Sequence, residues 1–237
     1  MTSSTCLTLS ITLAAMLTTA GCNMDHDHLS GRAETITRSV QLGEAKFVQV
    51  QIHMGAGELR LAGGASDLLE GDFTSEHPTL EPKINYQVSG DRGMLSVRQP
   101  TGGEMDIRLR NDVPMDLEVK LGAGESKLIV GSLDLRRLNV NVGVGECTVD
   151  LAGDWKENLK ALIKGGIGEA TVLLPEDTGV RVSAHGGIGE ICRGPLMQKG
   201  DAFVNEAYGK TPVTLDIEVK GGIGQINLEL AEGPPVI

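Results

Sequence analysis

The side chains able to do chemistry in this sequence fall into three groups, and each is better explained by structure than by reaction. Asp25, His26, Asp27 and His28 alternate carboxylate and imidazole, a set that could hold a metal weakly. They lie in a polar stretch without periodicity, which lacks the fixed geometry and supporting hydrogen bonds of a metal site, so no metal is expected there. His53, His77 and His185 could act as general bases, but no GxSxG elbow accompanies them and no nucleophile stands near in frame. Glu58, Glu125, Glu146, Glu169 and Glu190 recur in one motif context and, if stacked, could carry a ladder of calcium ions. The clustered Asp/Asn spacing of a calcium loop is missing, so a surface charge ladder is the expected role. Zinc-type ligand spacing is missing too, and no cofactor is expected.

The glutamates belong to a hexapeptide that returns six times: HMGAGE (His53 to Glu58), KLGAGE (Lys120 to Glu125), NVGVGE (Asn141 to Glu146), KGGIGE (Lys164 to Glu169), HGGIGE (His185 to Glu190) and KGGIGQ (Lys220 to Gln225). Nucleotide-binding glycine loops occur once per domain, so iteration points to architecture. The glycine pairs are Gly55/Gly57, Gly122/Gly124, Gly143/Gly145, Gly166/Gly168, Gly187/Gly189 and Gly222/Gly224. First glycines are separated by 67, 21, 23, 21 and 35 residues, which fits a unit of 21 to 23: the 67 is about three units, and the 35 is one unit with an insertion around Gly194 to Asp201. Units of this length belong to solenoids.

Apolar residues alternate on both sides of each motif, the mark of strands, but their parity flips. Val140, Val142 and Val144 are even, whereas Cys147, Val149 and Leu151 are odd; Ala161, Ile163 and Ile167 give way to Ala170, Val172 and Leu174. A straight strand with that slip would turn half its apolar residues to water. The glycines therefore mark either a stacked corner of a β-solenoid or the two-residue turn of a hairpin, and both satisfy the parity. The first is the expected fold: all-β, a β-helix-like stack with GxGE corners. A column of bases, His53, Lys120, Asn141, Lys164, His185 and Lys220, precedes the acidic column and would offset its self-repulsion.

Residues 1–21 carry no charged side chain and run from an apolar stretch into Thr19-Ala20-Gly21-Cys22, which reads as an export signal ending in a lipobox-like site with lipid attached to Cys22. Residues 22–40 read as a flexible tether, 41–115 and 116–232 as the two parts of one domain body, and 233–237 as a tail. The net charge of −11 excludes nucleic acid and argues against anionic lipid surfaces as partners. Cys147 and Cys192 fall one repeat apart, beyond disulfide reach, and are expected as two buried thiols. With one tryptophan, two tyrosines and three phenylalanines, the chain offers few platforms for sugar rings; Trp155 and Tyr208 are expected to cover apolar surface.

The stretches Gly55 to Phe73, Met94 to Pro100, Val113 to Leu128 and Ala207 to Leu230 resemble the bacterial toastrack domains, a group that includes the extracytoplasmic part of LiaF-like envelope-stress proteins and many candidate adhesins. The resemblance spans about residues 45 to 230. It implies a β-helix-like stack of sheets, no catalytic residues and a place near the membrane. The function that follows is that of a non-enzymatic, lipid-anchored, extracytoplasmic protein of the bacterial cell envelope, an interaction or scaffold module or one related to envelope stress, with the membrane reached through Cys22, an envelope protein or cell-wall component as partner, and self-association through open sheet edges. The alternative is a secreted β-helix that binds or processes glycans.

Overall fold

The computed structural model describes residues 33–75, 81–100 and 102–231; the signal-like segment 1–21, Cys22, Asp25 to His28, His77 and the tail 233–237 lie outside the described residues. In chain order the strands are β1 (Glu34–Val40), β2 (Phe47–Gly63), β3 (Leu69–Ser75), β4 (Lys83–Ser89), β5 (Arg92–Gln99), β6 (Glu104–Leu109), β7 (Met115–Ile129), β8 (Leu135–Asp150), β9 (Leu159–Pro175), β10 (Gly179–His185), β11 (Ile188–Cys192), β12 (Met197–Lys199), β13 (Ala202–Val204) and β14 (Thr214–Ala231). All join one mixed sheet.

Five of these strands, β2, β7, β8, β9 and β14, run straight through a GxG motif, and neighbours pair in parallel on both sides of it. A hairpin would turn the chain back on itself at the motif, so parallel register identifies the motif as a corner. Connection lengths agree. Fully extended, the 15 residues of β7 would span about 50 Å. The link from Ile129 back to Leu135 at the start of β8 reaches only about 20 Å. The strand must therefore fold over at Gly122 to Gly124 for its ends to approach. Side chains before and after the corner, such as Val140 and Val149 of β8, then face one shared apolar core. Each fully buried Leu, Ile or Val there contributes about 1.5–3 kcal/mol.

Strand order departs from the chain-order stack that the spacing predicts. The sixth copy, β14, lies between β9 and the strands of the fifth copy, β10 and β11. Residues 193–213 supply the chain needed for this return, and β12 and β13 within them cover the outer edge of β10. The opposite end is built in the same way. Between the first and second copies the chain runs out through β3 and β4, returns as β5 and β6 beside β2, and then crosses to the other flank of β2 as β7. Those two extra layers account for the spacing of 67. Residues 34–40, the end of the expected tether, instead form β1, the outermost strand, paired antiparallel with β3.

Cys147 and Cys192 are further apart than chain order suggests, because β9 and β14 both stand between β8 and β11. Only Cys147 is buried; Cys192 lies half-buried on the outer face of an end strand, where Gln225 Nε2 donates to its Sγ at 3.5 Å. Burial pushes the Cys147 thiol up, with the Ser126 hydroxyl pulling weakly the other way. Iodoacetamide should therefore spare Cys147 in the native protein near neutral pH and label it after unfolding in urea, as read by peptide mass spectrometry; native labelling of Cys147 at its unfolded rate would contradict this packing.

Candidate functional site

The corner is made by glycines that nothing larger can replace. The second glycine of every copy has a positive φ, from 122° at Gly57 to 146° at Gly189, in a region that side-chain-bearing residues avoid. The layers also meet there at glycine. A Cβ on Gly124 would overlap the Gly57 carbonyl oxygen, one on Gly145 that of Gly124, and one on Gly168 that of Gly145. The column continues past the first copy to a corner that the sequence reading missed. Gly103, with φ of 142°, stacks on Gly57, and Glu104 pairs in register with Glu58, so β5 and β6 form an interrupted seventh copy. Its only surviving signal is the Gly103-Glu104 pair, since Pro100 and an extra residue disguise the rest.

Register assembles the acidic column as Glu104, Glu58, Glu125, Glu146, Glu169, Gln225 and Glu190, the glutamates exposed along the outside of the bend. The sixth copy's Gln225 thus interrupts the carboxylates rather than ending them. Gln225 Nε2 donates to Asn227 Oδ1 at 2.7 Å, and Asn227 Nδ2 donates to Glu169 Oε1 at 2.6 Å, a neutral bridge within an otherwise self-repelling row. The basic column also forms: Arg98, His53, Lys120, Asn141, Lys164, Lys220 and His185 stand in register.

Two of the lysines find their partners within their own strands. Lys120 meets Glu118 at 2.7 Å and Lys220 meets Glu218 at 2.8 Å, each on its own strand and away from the GxGE glutamates. Two residues apart on a strand means the same face, whereas the corner stands between a lysine and its motif glutamate. Such exposed pairs contribute under about 1 kcal/mol. The Lys220 ammonium beside Glu218 holds that carboxyl below the usual range. His53 is held below its ordinary value by burial and then by Lys120 and Arg98, and its Nε2 is buried without a partner.

The middle residue of each GxG, grouped by the sequence pattern with the apolar series ahead of it, turns outward instead. Ala56, Ala123, Val144, Ile167, Ile223 and Ile188 form one row in register, with Val144, Ile167 and Ile223 at about half exposure and Ile188 at 72%. Parity fails here because the bend takes up the whole Gly-x-Gly, so the residue between the glycines belongs to neither arm. Trp155 is buried over the core, its Nε1 donating to the Leu151 carbonyl at 2.7 Å. Tyr208 is partly buried, with Lys199 Nζ 5.1 Å from its ring centroid.

Among the described residues, no group of three or more His, Cys, Asp or Glu side chains is placed to hold a metal. The carboxylates form a straight row on a convex bend. Such a row can repel, attract or align a charged partner, and at its β6 end Glu58 and Glu104 line a cleft together with Asp72 and Asp106.

Comparison with known proteins places this geometry in context. Residues 29–173 match the family described as the N-terminal domain of toast_rack, DUF2154. A crystal structure of a candidate cell adhesion protein from Clostridium sporogenes is 29% identical, with a TM-score of 0.82 over 84% of this chain and all of that one. A candidate adhesin from Bacteroides fragilis is 13% identical with a TM-score of 0.30, covering 82% of this chain and 97% of that one. One from Parabacteroides merdae is 10% identical with a TM-score of 0.24, covering 85% and 97%. The latter two superpose too poorly to support any argument. No curated protein matches the chain.

Proposed function

Because the chain belongs to the family of the toast_rack N-terminal domain, DUF2154, we propose that it is a non-enzymatic interaction module of the bacterial cell envelope, extracytoplasmic and held to the membrane by a lipid on Cys22. The observation that carries this reading is the place of β1. The described chain begins at the outermost strand of one sheet end, and eight strand steps separate β1 from β11 at the other. At about 4.8 Å per step, the far end stands roughly 40 Å from the anchored one. The stretch from Cys22 to Glu34 adds a tether of at most about 40 Å. This is the layout of a surface spacer that presents its distal end.

The fold is then a β-helix-like stack whose coils close through short links such as Ile129 to Leu135. β11, paired with β14, stands at the distal end of the stack, and that end is where an envelope protein, a cell-wall component or another copy would meet the domain. The Clostridium relative's description as a candidate cell adhesion protein supports adhesion as the role. Glycan processing would have to use the cleft lined by Glu58, Asp72, Glu104 and Asp106, and the chain's few aromatic residues offer a sugar ring little to stack on.

Radiolabelled palmitate fed to a bacterial host expressing wild type and Cys22→Ser, followed by fractionation, tests the anchor. Wild type labelled in the membrane fraction, with label lost in Cys22→Ser, is the expected result. Soluble, unlabelled wild type would overturn the anchor and with it the membrane-proximal role.

A further inference from the structure

The outward row at the corner is unusual for a water-exposed surface. Val144, Ile167, Ile223 and Ile188 are large, β-branched, half or more exposed and consecutive in the sheet, forming an apolar ridge about 14 Å long. Glycine columns flank it on both sides, leaving bare backbone where a facing side chain could seat. Beyond the glycines the two flanks differ in charge. Three residues before the ridge stand Asn141, Lys164, Lys220 and His185, and two residues after it Glu146, Glu169, Gln225 and Glu190; beside Ala123, one layer outside the ridge, Lys120 and Glu125 continue the two rows.

We propose that this ridge is an interface between two copies of the chain, packed face to face about a two-fold axis parallel to the stack. The charges choose both the occupant and the axis. That rotation sets the basic flank of each copy against the acidic flank of the other, and each ridge residue opposite its own counterpart. A two-fold axis along the strands, perpendicular to the stack, would set the basic rows together and the acidic rows together, a repulsion that falls mainly on the carboxylates. Glu118 and Glu218 pair with Lys120 and Lys220, so the basic flank rests chiefly on Lys164, which the axis parallel to the stack sets against Glu169 of the other copy. The complementarity is a property of one surface meeting itself, as an isologous dimer requires. A ridge one residue wide covers less than the roughly 800 Å² per partner of a standard interface, so the dimer is weak and dissociates on dilution. Nothing in this inference depends on the lipid.

The test is sedimentation equilibrium of the full chain carrying Cys22→Ser, at low salt and over a concentration series. One set has Lys120→Glu, Lys164→Glu and Lys220→Glu; a second has Glu125→Lys, Glu146→Lys and Glu169→Lys; a third has Ile167→Ser and Ile223→Ser. Wild type should dimerise reversibly, and each set alone should weaken association about tenfold or more. Mixing the first two sets should restore a heterodimer, because each then faces its opposite. The third set changes only exposed side chains and leaves both charge columns intact, so it tests the ridge even if a charge-reversed chain fails to fold. A monomeric wild type at every concentration, a wild-type dimer indifferent to the serine pair, or a mixture of folded charge-reversed chains that associates no better than its components would each overturn the proposal.

Discussion

Gly145→Ala is expected to lower stability by about 3–5 kcal/mol, a large fraction of the margin of an ordinary domain, and to show as a large fall in the urea midpoint. Two costs combine. At φ of 130° an alanine is strained by about 1–3 kcal/mol, and its Cβ must displace the Gly124 carbonyl, adding overpacking of a similar size. The layer cannot relax away from the clash, because the glycine column is contiguous. Gly124 already rests on Gly57, and Gly168 rests on Gly145 from the other side. Two glycines separate these causes. Gly43 has φ of 62° with nothing near its missing Cβ, so Gly43→Ala should cost only about 1–2 kcal/mol. Gly165 has neither a positive φ nor a neighbour in the way, so Gly165→Ala should stay within about 0.5 kcal/mol of wild type. If Gly145→Ala costs no more than Gly43→Ala, layer contact at glycine is not what fixes the corner.

The legible parts of this fold were those encoded locally. Alternation of period two marks strands because a pleated chain has no other way to bury one face, and repeated GxG at a parity break marks a bend because only glycine tolerates both the angle and the contact. Strand order was not local information. The sixth copy carries the same pattern as the fourth and fifth, so Ile226 of β14 is as acceptable beside Ala170 as Ile191 would be, and only the insertion at 193–213 hints that the chain returns. Ridge residues were misgrouped for a related reason: Ile167 sits two residues from Gly165 and four from Ile163, in phase with the buried series, yet the corner has already turned it outward. Ion-pair partners were not legible either, because the bend that separates Lys120 from Glu125 leaves Glu118, on the lysine's own strand, as the nearer carboxylate.

The insertion also holds a residue that no motif announced, and replacing it should have the second large effect. Asn205 is 3% exposed. Its Nδ2 donates to the carbonyls of Thr178 at 2.7 Å, Pro175 at 3.0 Å and Glu176 at 3.2 Å, sharing two hydrogens among three acceptors, and its Oδ1 accepts from the Val180 amide at 3.0 Å. These groups form the crossing from β9 to β10, the passage that leaves a slot for β14 between them. Asn205→Ala strands a buried amide and several carbonyls, so a loss of about 3 kcal/mol is expected. Asn205→Asp is the more informative change. It keeps the Val180 acceptor but aims a second oxygen at three carbonyls, so burial and like dipoles must raise its folded pKa above the unfolded value of about 3.9. A raised carboxyl pKa means that the aspartate variant is least destabilised below the unfolded pKa and loses stability as pH rises through the folded value. Its urea midpoint relative to wild type should therefore fall from about pH 4 to pH 7, while that of Asn205→Ala should hold a constant offset. An aspartate variant whose pH profile runs parallel to wild type would mean that the crossing is not held by donation from this side chain, and the slot for β14 would need another cause.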